Sequence, residues 1–328
     1  MDRRDFLAAL GAAAALPLSC ADGPDTSTES EGAPPPVARP RFEISLAQWS
    51  LHRTFFGKAL DNGYTELFTG LLQDPPSALQ GERKPLEFAQ MARELDVSAI
   101  EYVNTFFFDR AQDDEYIAEL VRRADGEGVR SLLIMCDAEG DLGDADGERR
   151  AAAVENHRKW LECAAALGCH SIRVNAASSG SYEEQQKLAA EGLRGVCEIA
   201  DPLGLDVLVE NHGGLSSNGQ WLAGTLELVD HPRSGSLPDF GNFTISETET
   251  YDRYQGVAEL MPTARAVSAK SYAFDADGSE TTIDYERMLQ IVLDAGYDDY
   301  VGIEYEGTEL EELEGIQATR RLLEKLRG

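Results

Sequence analysis

Short apolar runs alternate with longer amphipathic segments from residue 41 to the end of the chain. The short runs are apolar at both odd and even positions, which is typical of strands that are covered on both faces of a parallel sheet. The pattern predicts eight strands, at residues 42–50, 97–104, 129–137, 170–177, 205–212, 234–240, 264–272 and 300–307.

Between these runs, apolar residues recur every three to four positions, which predicts helices with one buried face. Pro85 suits the first turn of a helix, and Gly128 and Gly168 are typical of helix ends. The predicted helices span residues 85–95, 113–128, 148–168, 182–204, 221–229, 253–261, 284–296 and 310–326.

Strands that alternate with helices predict an α/β protein with a parallel sheet and helices outside it. Eight such units in about 285 residues match a single closed (β/α)8 TIM barrel, which we place at residues 41–328. No GxGxxG follows the first strand, so a dinucleotide-binding fold has no support. We expect residues 53–84 to form a short helix and an irregular excursion over the barrel mouth, where they could act as a lid.

The first 20 residues have the layout of a signal peptide, with a basic start, a short apolar centre and small residues at its end. Arg3 and Arg4 resemble a twin-arginine export signal, and Cys20 is the candidate for lipidation. Residues 21–40 are rich in Pro, Ser, Thr and acids, so we expect a disordered linker. These features predict export to the periplasm or cell envelope, with membrane contact only through an N-terminal lipid anchor.

The net charge of −30 disfavours a nucleic-acid partner, because the surface would repel a phosphate backbone.

No CxxC pair is formed by the four remaining cysteines, Cys136, Cys163, Cys169 and Cys197. In a domain of this size we expect them to be buried free thiols. The sequence leaves the oligomeric state open, including a homo-oligomer.

Polar residues cluster at the carboxyl ends of the predicted strands, where catalytic residues of such barrels lie. Glu210 and His212 are two residues apart and therefore share a face, and Asp239 and Glu304 end other strands. Carboxylates that converge on one mouth would repel each other, and a divalent cation would relieve that repulsion. Oxygen ligands with one imidazole suit Mg, Mn or Zn. The alternative for each residue is an ordinary solvent-facing side chain.

The stretches "VNAASSG", "LVENHGG" and "IEYEG" resemble the sugar phosphate isomerase/epimerase family with a xylose-isomerase-like barrel, over residues 41–326. That family carries Glu, Asp, a His in an H-x-K pattern and Glu on four strands, where they bind one divalent metal. The resemblance assigns Glu210, Asp239 and Glu304 to three of these positions, and Lys270 matches the Lys of H-x-K. It implies that the two glutamates also move protons.

The chain departs from this pattern in two places. Ser268 stands where the family has its ligand His, and Asn242 stands where related epimerases often have another His. His212 is then the imidazole nearest the site. It could complete the metal shell, contact substrate, or cap the turn at residues 213–214.

The resemblance implies a metal-dependent sugar isomerase or epimerase that transfers a proton next to a carbonyl. Its catalytic residues would be Glu210, Glu304 and Lys270. One divalent metal (Mn, Mg or Zn) would be bound by Glu210, Asp239, Glu304 and His212. The candidates for contact with a small carbohydrate are Arg173, Asn175, His212, Asn242, Trp49 and Glu101.

Other interpretations remain open. Arg173 could belong to an ion pair in the barrel core. An exported enzyme with the same site could perform β-elimination on keto-glycosides, which is lyase chemistry. The Ser268 departure also allows a carbohydrate-binding lipoprotein without turnover. Apurinic endonuclease activity is disfavoured, because five His residues in all and a net charge of −30 suit neither a multi-zinc site nor DNA.

Overall fold

Eight parallel strands form one curled sheet in the computed structural model, which describes residues 40–327. Strands that are neighbours along the chain pair with one another, except the sixth and the seventh, and the first pairs with the last. Parallel bridges from Ser236 to Ala264 and from Asp239 to Ser268 join the two remaining edges. The predicted strands are confirmed as β1 Glu43–Ala47, β2 Ala99–Val103, β3 Arg130–Met135, β4 Ser171–Asn175, β5 Asp206–Glu210, β6 Ser234–Leu237, β7 Val267–Ser271 and β8 Tyr300–Tyr305.

Twelve α-helices are found in the described residues, and most of them surround the strands. A small hairpin of Thr244–Ser246 and Glu249–Thr250 follows β6. The helices are α1 His52–Phe56, α2 Tyr64–Gln73, α3 Pro75–Ala78, α4 Phe88–Glu94, α5 Asp114–Glu127, α6 Gly147–Asn156, α7 Arg158–Ala166, α8 Tyr182–Ala200, α9 Gly219–Val229, α10 Arg253–Leu260, α11 Tyr285–Asp294 and α12 Glu312–Arg327.

The predicted continuous helix at residues 148–168 is wrong, because α6 and α7 meet at His157. The His157 amide donates to the Val154 carbonyl three residues back, at 3.3 Å, so the helix tightens there. The buried His157 ring also lies 2.7 Å from the Ala153 carbonyl through Nδ1. The periodic pattern of apolar residues continues through this junction, so the sequence alone does not reveal it.

Residues 53–84 contain more regular structure than predicted, since α1, α2 and α3 account for much of this segment. The buried Glu312 of α12 accepts hydrogen bonds from the amides of Arg53 (2.7 Å) and Thr54 (2.9 Å). It also accepts one from Thr54 Oγ1 at 2.6 Å. This carboxylate therefore satisfies free N–H groups at the start of α1 and fixes the segment to the barrel.

The expectation of buried free thiols is confirmed for Cys136, Cys163, Cys169 and Cys197. Among residues 40–327, no helix is both long and apolar enough to cross a bilayer. The predicted signal peptide, the lipidation at Cys20 and nearly all of the predicted linker lie outside the described residues.

Candidate functional site

Three carboxylates converge inside the barrel at the carboxyl ends of its strands. Glu210 ends β5, Asp239 follows β6, and Glu304 lies near the end of β8. One oxygen atom of each lies within 4.8 Å of the others, and all three side chains are buried. The structure therefore brings together the three carboxylates that the sequence proposed as metal ligands.

Asn211 fixes the position of Asp239. Its amide group donates to the Asp239 carbonyl at 3.0 Å and accepts from the Asp239 amide at 2.8 Å. The Asp239 carboxylate accepts from the amides of Gly241 and Asn242, both at 2.8 Å. Sequence reasoning missed Asn211, although it stands between Glu210 and His212. These bonds hold one carboxylate oxygen of Asp239 in a set direction.

Asn242 lies against Glu210, because its side-chain amide donates to Glu210 Oε1 at 3.1 Å. Its predicted contact with substrate stays a prediction. In this structure its role is to orient a carboxylate.

Ser268 lies between two of the carboxylates. Its hydroxyl oxygen is 2.7 Å from Asp239 Oδ2 and 2.7 Å from Glu304 Oε2. A hydroxyl has one proton, so it donates to one of these oxygens at a time. The departure from the family His thus leaves a small, buried polar group that links β7 to β6 and β8.

Lys270 places a cation among the carboxylates. Its ammonium lies 2.7 Å from Glu304 Oε1, 3.0 Å from Glu306 Oε2 and 3.8 Å from Asp239 Oδ2. Burial alone would lower the pKa of Lys270, but attraction to these three carboxylates raises it well above its usual value. Lys270 is therefore charged and neutralises part of the site.

Arg173 is the second cation. Its Nε is 2.7 Å from Glu210 Oε2, and its Nη1 is 2.7 Å from Asp137 Oδ1. Although Arg173 Nε and Glu210 Oε2 are close, neither has a well-directed hydrogen bond among the described residues. Asn175 also donates to Asp137, at 2.8 Å. Arg173 is thus buried in the ion pair that the sequence left as an alternative, and substrate contact by Arg173 or Asn175 stays a prediction.

The buried carboxylates have unusual acidities. Burial raises the pKa of Glu210 and of Asp239 to about 7, and repulsion from Glu304 acts in the same direction. Arg173 opposes this shift at Glu210, and Lys270 opposes it at Asp239. The site therefore has more carboxylates than its two cations balance, and it gains stability from a proton or a further cation.

Glu101 is buried inside the barrel, too deep for the predicted contact with substrate. It is 1% exposed and accepts from Ser45 Oγ at 2.6 Å. A Cβ atom on Gly302, two residues before Glu304, would lie 2.6 Å from Glu101 Oε1. Burial raises the pKa of Glu101 to about 7 despite the Ser45 hydrogen bond. Its direct contact with substrate has no support in this geometry.

His212 lies outside the group of three carboxylates and is exposed after the end of β5. Its amide donates to Ser216 Oγ at 2.9 Å, within the turn that follows the strand. The predicted metal ligation by His212 therefore gains no support, and contact with substrate remains a prediction.

Trp49 and Glu306 extend the site toward the entrance of the barrel. The indole N–H of the partly exposed Trp49 donates to Glu306 Oε1, while Glu306 Oε2 accepts from Lys270. Burial would raise the pKa of Glu306, but Lys270 lowers it below its usual value. Sequence reasoning did not assign Glu306 to the site, although its spacing of two from Glu304 places both on one face.

Comparison with solved structures finds the same fold at low sequence identity. The E. coli 3-keto-D-glucoside 4-epimerase is 17% identical, with a TM-score of 0.60 over 75% of this chain and 97% of its own. An L-ribulose 3-epimerase is 17% identical, with a TM-score of 0.62 over 87% of this chain and 95% of its own. A xylose isomerase-like TIM barrel protein from Mycobacterium smegmatis, in complex with magnesium, is 16% identical. Its TM-score is 0.61 over 87% of this chain and 96% of its own.

No curated protein matches the chain by sequence. A family model described as the xylose isomerase-like TIM barrel matches residues 89–326, which is more than half of the chain. This match includes β2 to β8 and all three carboxylates of the site. The protein therefore belongs to the xylose isomerase-like TIM barrel family.

Proposed function

We propose that the protein is a divalent-metal-dependent sugar isomerase or epimerase that transfers a proton beside a carbonyl. The observation that carries this proposal is the convergence of Glu210, Asp239 and Glu304 within 4.8 Å. Sugar epimerases among the structures of the same fold support the class of reaction.

The three carboxylates fit a divalent cation. Glu210 Oε2 is buried and, although Arg173 Nε lies 2.7 Å away, it accepts no well-directed hydrogen bond among the described residues, which leaves a lone pair for a ligand. The set offers carboxylate oxygens and no imidazole, a combination that favours Mg²⁺ or Mn²⁺ over Zn²⁺. Bound there, the cation would polarise a substrate carbonyl and so acidify the neighbouring C–H group.

Glu210 and Glu304 are suited to act as an acid and base pair. They come from β5 and β8, so each would approach a metal-bound sugar from a different strand. One would remove the proton next to the carbonyl, and the other would return a proton to the opposite face. Return to the same carbon gives an epimer. Return to the former carbonyl carbon, together with transfer of the adjacent hydroxyl proton to the former carbonyl oxygen, gives an isomer.

One further feature assists this chemistry. Lys270, 2.7 Å from Glu304 Oε1, orients this carboxylate and places positive charge where an oxyanion would develop.

A panel of keto sugars and keto-glycosides, incubated in deuterated water with and without Mg²⁺ or Mn²⁺, tests the proposal. We expect metal-dependent incorporation of deuterium at the carbon next to the carbonyl, detected by NMR. An unsaturated keto sugar would instead support β-elimination. Sugar binding without metal or turnover would support a binding protein.

A further inference from the structure

Three aromatic rings form a cluster beside the carboxylates. The ring centroids of Trp49 and His52 are 5.1 Å apart at an interplanar angle of 14°. Tyr64, the first residue of α2, lies 6.2 Å from Trp49 at 28° and 6.5 Å from His52. The rings of Trp49 and Tyr64 are thus roughly parallel.

Hydrogen bonds connect this cluster to the reaction site. Trp49 donates to Glu306, Glu306 accepts from Lys270, and Lys270 donates to Glu304. The pKa of Tyr64 is raised by partial burial and then by the negative charge of Glu306, so its hydroxyl lies within the field of that carboxylate. A path of four adjacent side chains leads from Trp49 to the proposed base Glu304.

The cluster is held in place but remains open to solvent. His52 Nδ1 lies 2.8 Å from the Trp49 carbonyl, and Glu312 fixes the start of α1. Tyr64 nevertheless keeps 50% of its surface exposed. This is the second highest exposed fraction among the large apolar side chains of the described residues. An aromatic ring that stays half exposed at the entrance of a site is available to a ligand.

We propose that Tyr64 and Trp49 form a second sugar subsite, which binds an additional pyranose ring of a glycoside substrate. This inference rests on the proposed function, because the first ring would occupy the carboxylate site. The apolar C–H face of a sugar ring would pack on the aromatic rings, while its hydroxyls would meet Glu306 and the partly exposed Arg53. The substrate class is therefore a keto-disaccharide or a similar keto-glycoside.

Tyr64 belongs to a segment that precedes the family match at residues 89–326. The subsite is therefore built partly from a part of this chain outside that match. Glu312 anchors α1, which begins with His52, so little ordering of the His52 and Trp49 rings would be required when a ligand binds.

The test compares a keto-monosaccharide, methyl 3-keto-D-glucoside, with 3-keto-cellobiose and 3-keto-maltose. The variants are Tyr64→Ala, Tyr64→Phe and Leu72→Ala; Leu72 is an exposed residue on the same helix and serves as the control. Binding is measured by calorimetry with Mg²⁺ in a Glu304→Gln background that has first been shown to bind Mg²⁺, and turnover is measured in the chain with Glu304 intact. Thermal unfolding checks that each variant is folded.

We expect at least one disaccharide to bind about tenfold more tightly than the monosaccharide, a difference of about 1.4 kcal/mol. Tyr64→Ala should remove this preference and leave monosaccharide binding unchanged, while Tyr64→Phe and Leu72→Ala retain it. Equal affinity for one and two rings, or a preference that survives Tyr64→Ala, would overturn the subsite. Tyr64-dependent disaccharide binding without turnover would overturn the proposed reaction and leave the subsite supported.

Discussion

At the scale of single residues, Glu210 and Glu304 have different partners. Glu210 contacts Arg173 and Asn242, whereas Glu304 contacts Lys270 and Ser268. Both residues are buried, so these neighbours determine their surroundings. The two carboxylates therefore lie in different environments, which suits separate roles as acid and base.

Glu210→Gln and Glu304→Gln should each reduce turnover by at least about 10²-fold, since general acid–base catalysis contributes 10²–10⁴-fold. Glutamine keeps the volume of the side chain, so thermal unfolding should still show a folded barrel. Glu309→Gln is the control, because Glu309 is exposed in the loop after β8. Turnover retained by both site variants would show that the assignment is wrong.

Glu101 predicts a dependence of stability on pH. Its pKa is raised from 4.5 to about 7, so the native state keeps a proton that the unfolded chain releases above about pH 4.5. As pH rises from 4.5 to 7, the unfolded state binds fewer protons than the native state, and stability falls. The shift corresponds to at most about 3 kcal/mol at this residue.

Glu101→Gln removes this titration. Urea unfolding at several pH values between 5 and 8 should show a smaller loss of stability in the variant than in the unchanged protein. Parallel curves for the two proteins would mean that Glu101 does not hold a proton in the folded state.

The sequence was informative about residues that end strands. Glu210, Asp239 and Glu304 could be predicted, because chain position fixes which strand carries each and all strands end at one mouth. Asn211 and Glu306 could not be assigned, since their contacts depend on loop geometry after β6 and on the Trp49 ring. His212 was assigned by its spacing of two from Glu210, and it lies outside the group of three carboxylates, so metal ligation by His212 stays a prediction.

At the scale of elements, Glu312 joins α12 to α1. It accepts three hydrogen bonds from Arg53 and Thr54, and it is buried. Because α1 directly follows Trp49, this contact also fixes one wall of the mouth.

Glu312→Gln should destabilise the protein by about 1–3 kcal/mol, because the side-chain amide cannot accept all three bonds and a buried donor loses its partner. Denaturant unfolding measures the effect. Glu311→Gln, at an exposed neighbouring position, should change stability by less than about 0.5 kcal/mol. Equal effects of the two substitutions would argue against the anchoring role of Glu312.

Helix and strand types could be predicted from periodicity, while two details could not. The junction of α6 and α7 depends on backbone hydrogen bonds around His157 that reach three residues back instead of four. The three helices of residues 52–78 are short, and such helices owe their stability to packing rather than to a long apolar pattern.

At the scale of the whole molecule, a net charge of −30 surrounds a site that also has excess negative charge. Self-repulsion of the surface should lower stability, and salt should screen it. We expect the Tm to rise as NaCl increases from about 0.05 M to about 1 M, as the screening length falls to about 3 Å. A Tm that falls with NaCl would show that attractive ion pairs outweigh this repulsion.

The barrel places three carboxylates from separate strands within reach of one cation. The proposed reaction depends on that cation. Calorimetric titration of Mg²⁺ and Mn²⁺ into metal-free protein, compared with Asp239→Asn, measures this most directly. We predict one site per chain in the unchanged protein and at least a tenfold loss of affinity in the variant. No binding in the unchanged protein, or unchanged affinity in Asp239→Asn, would contradict the account.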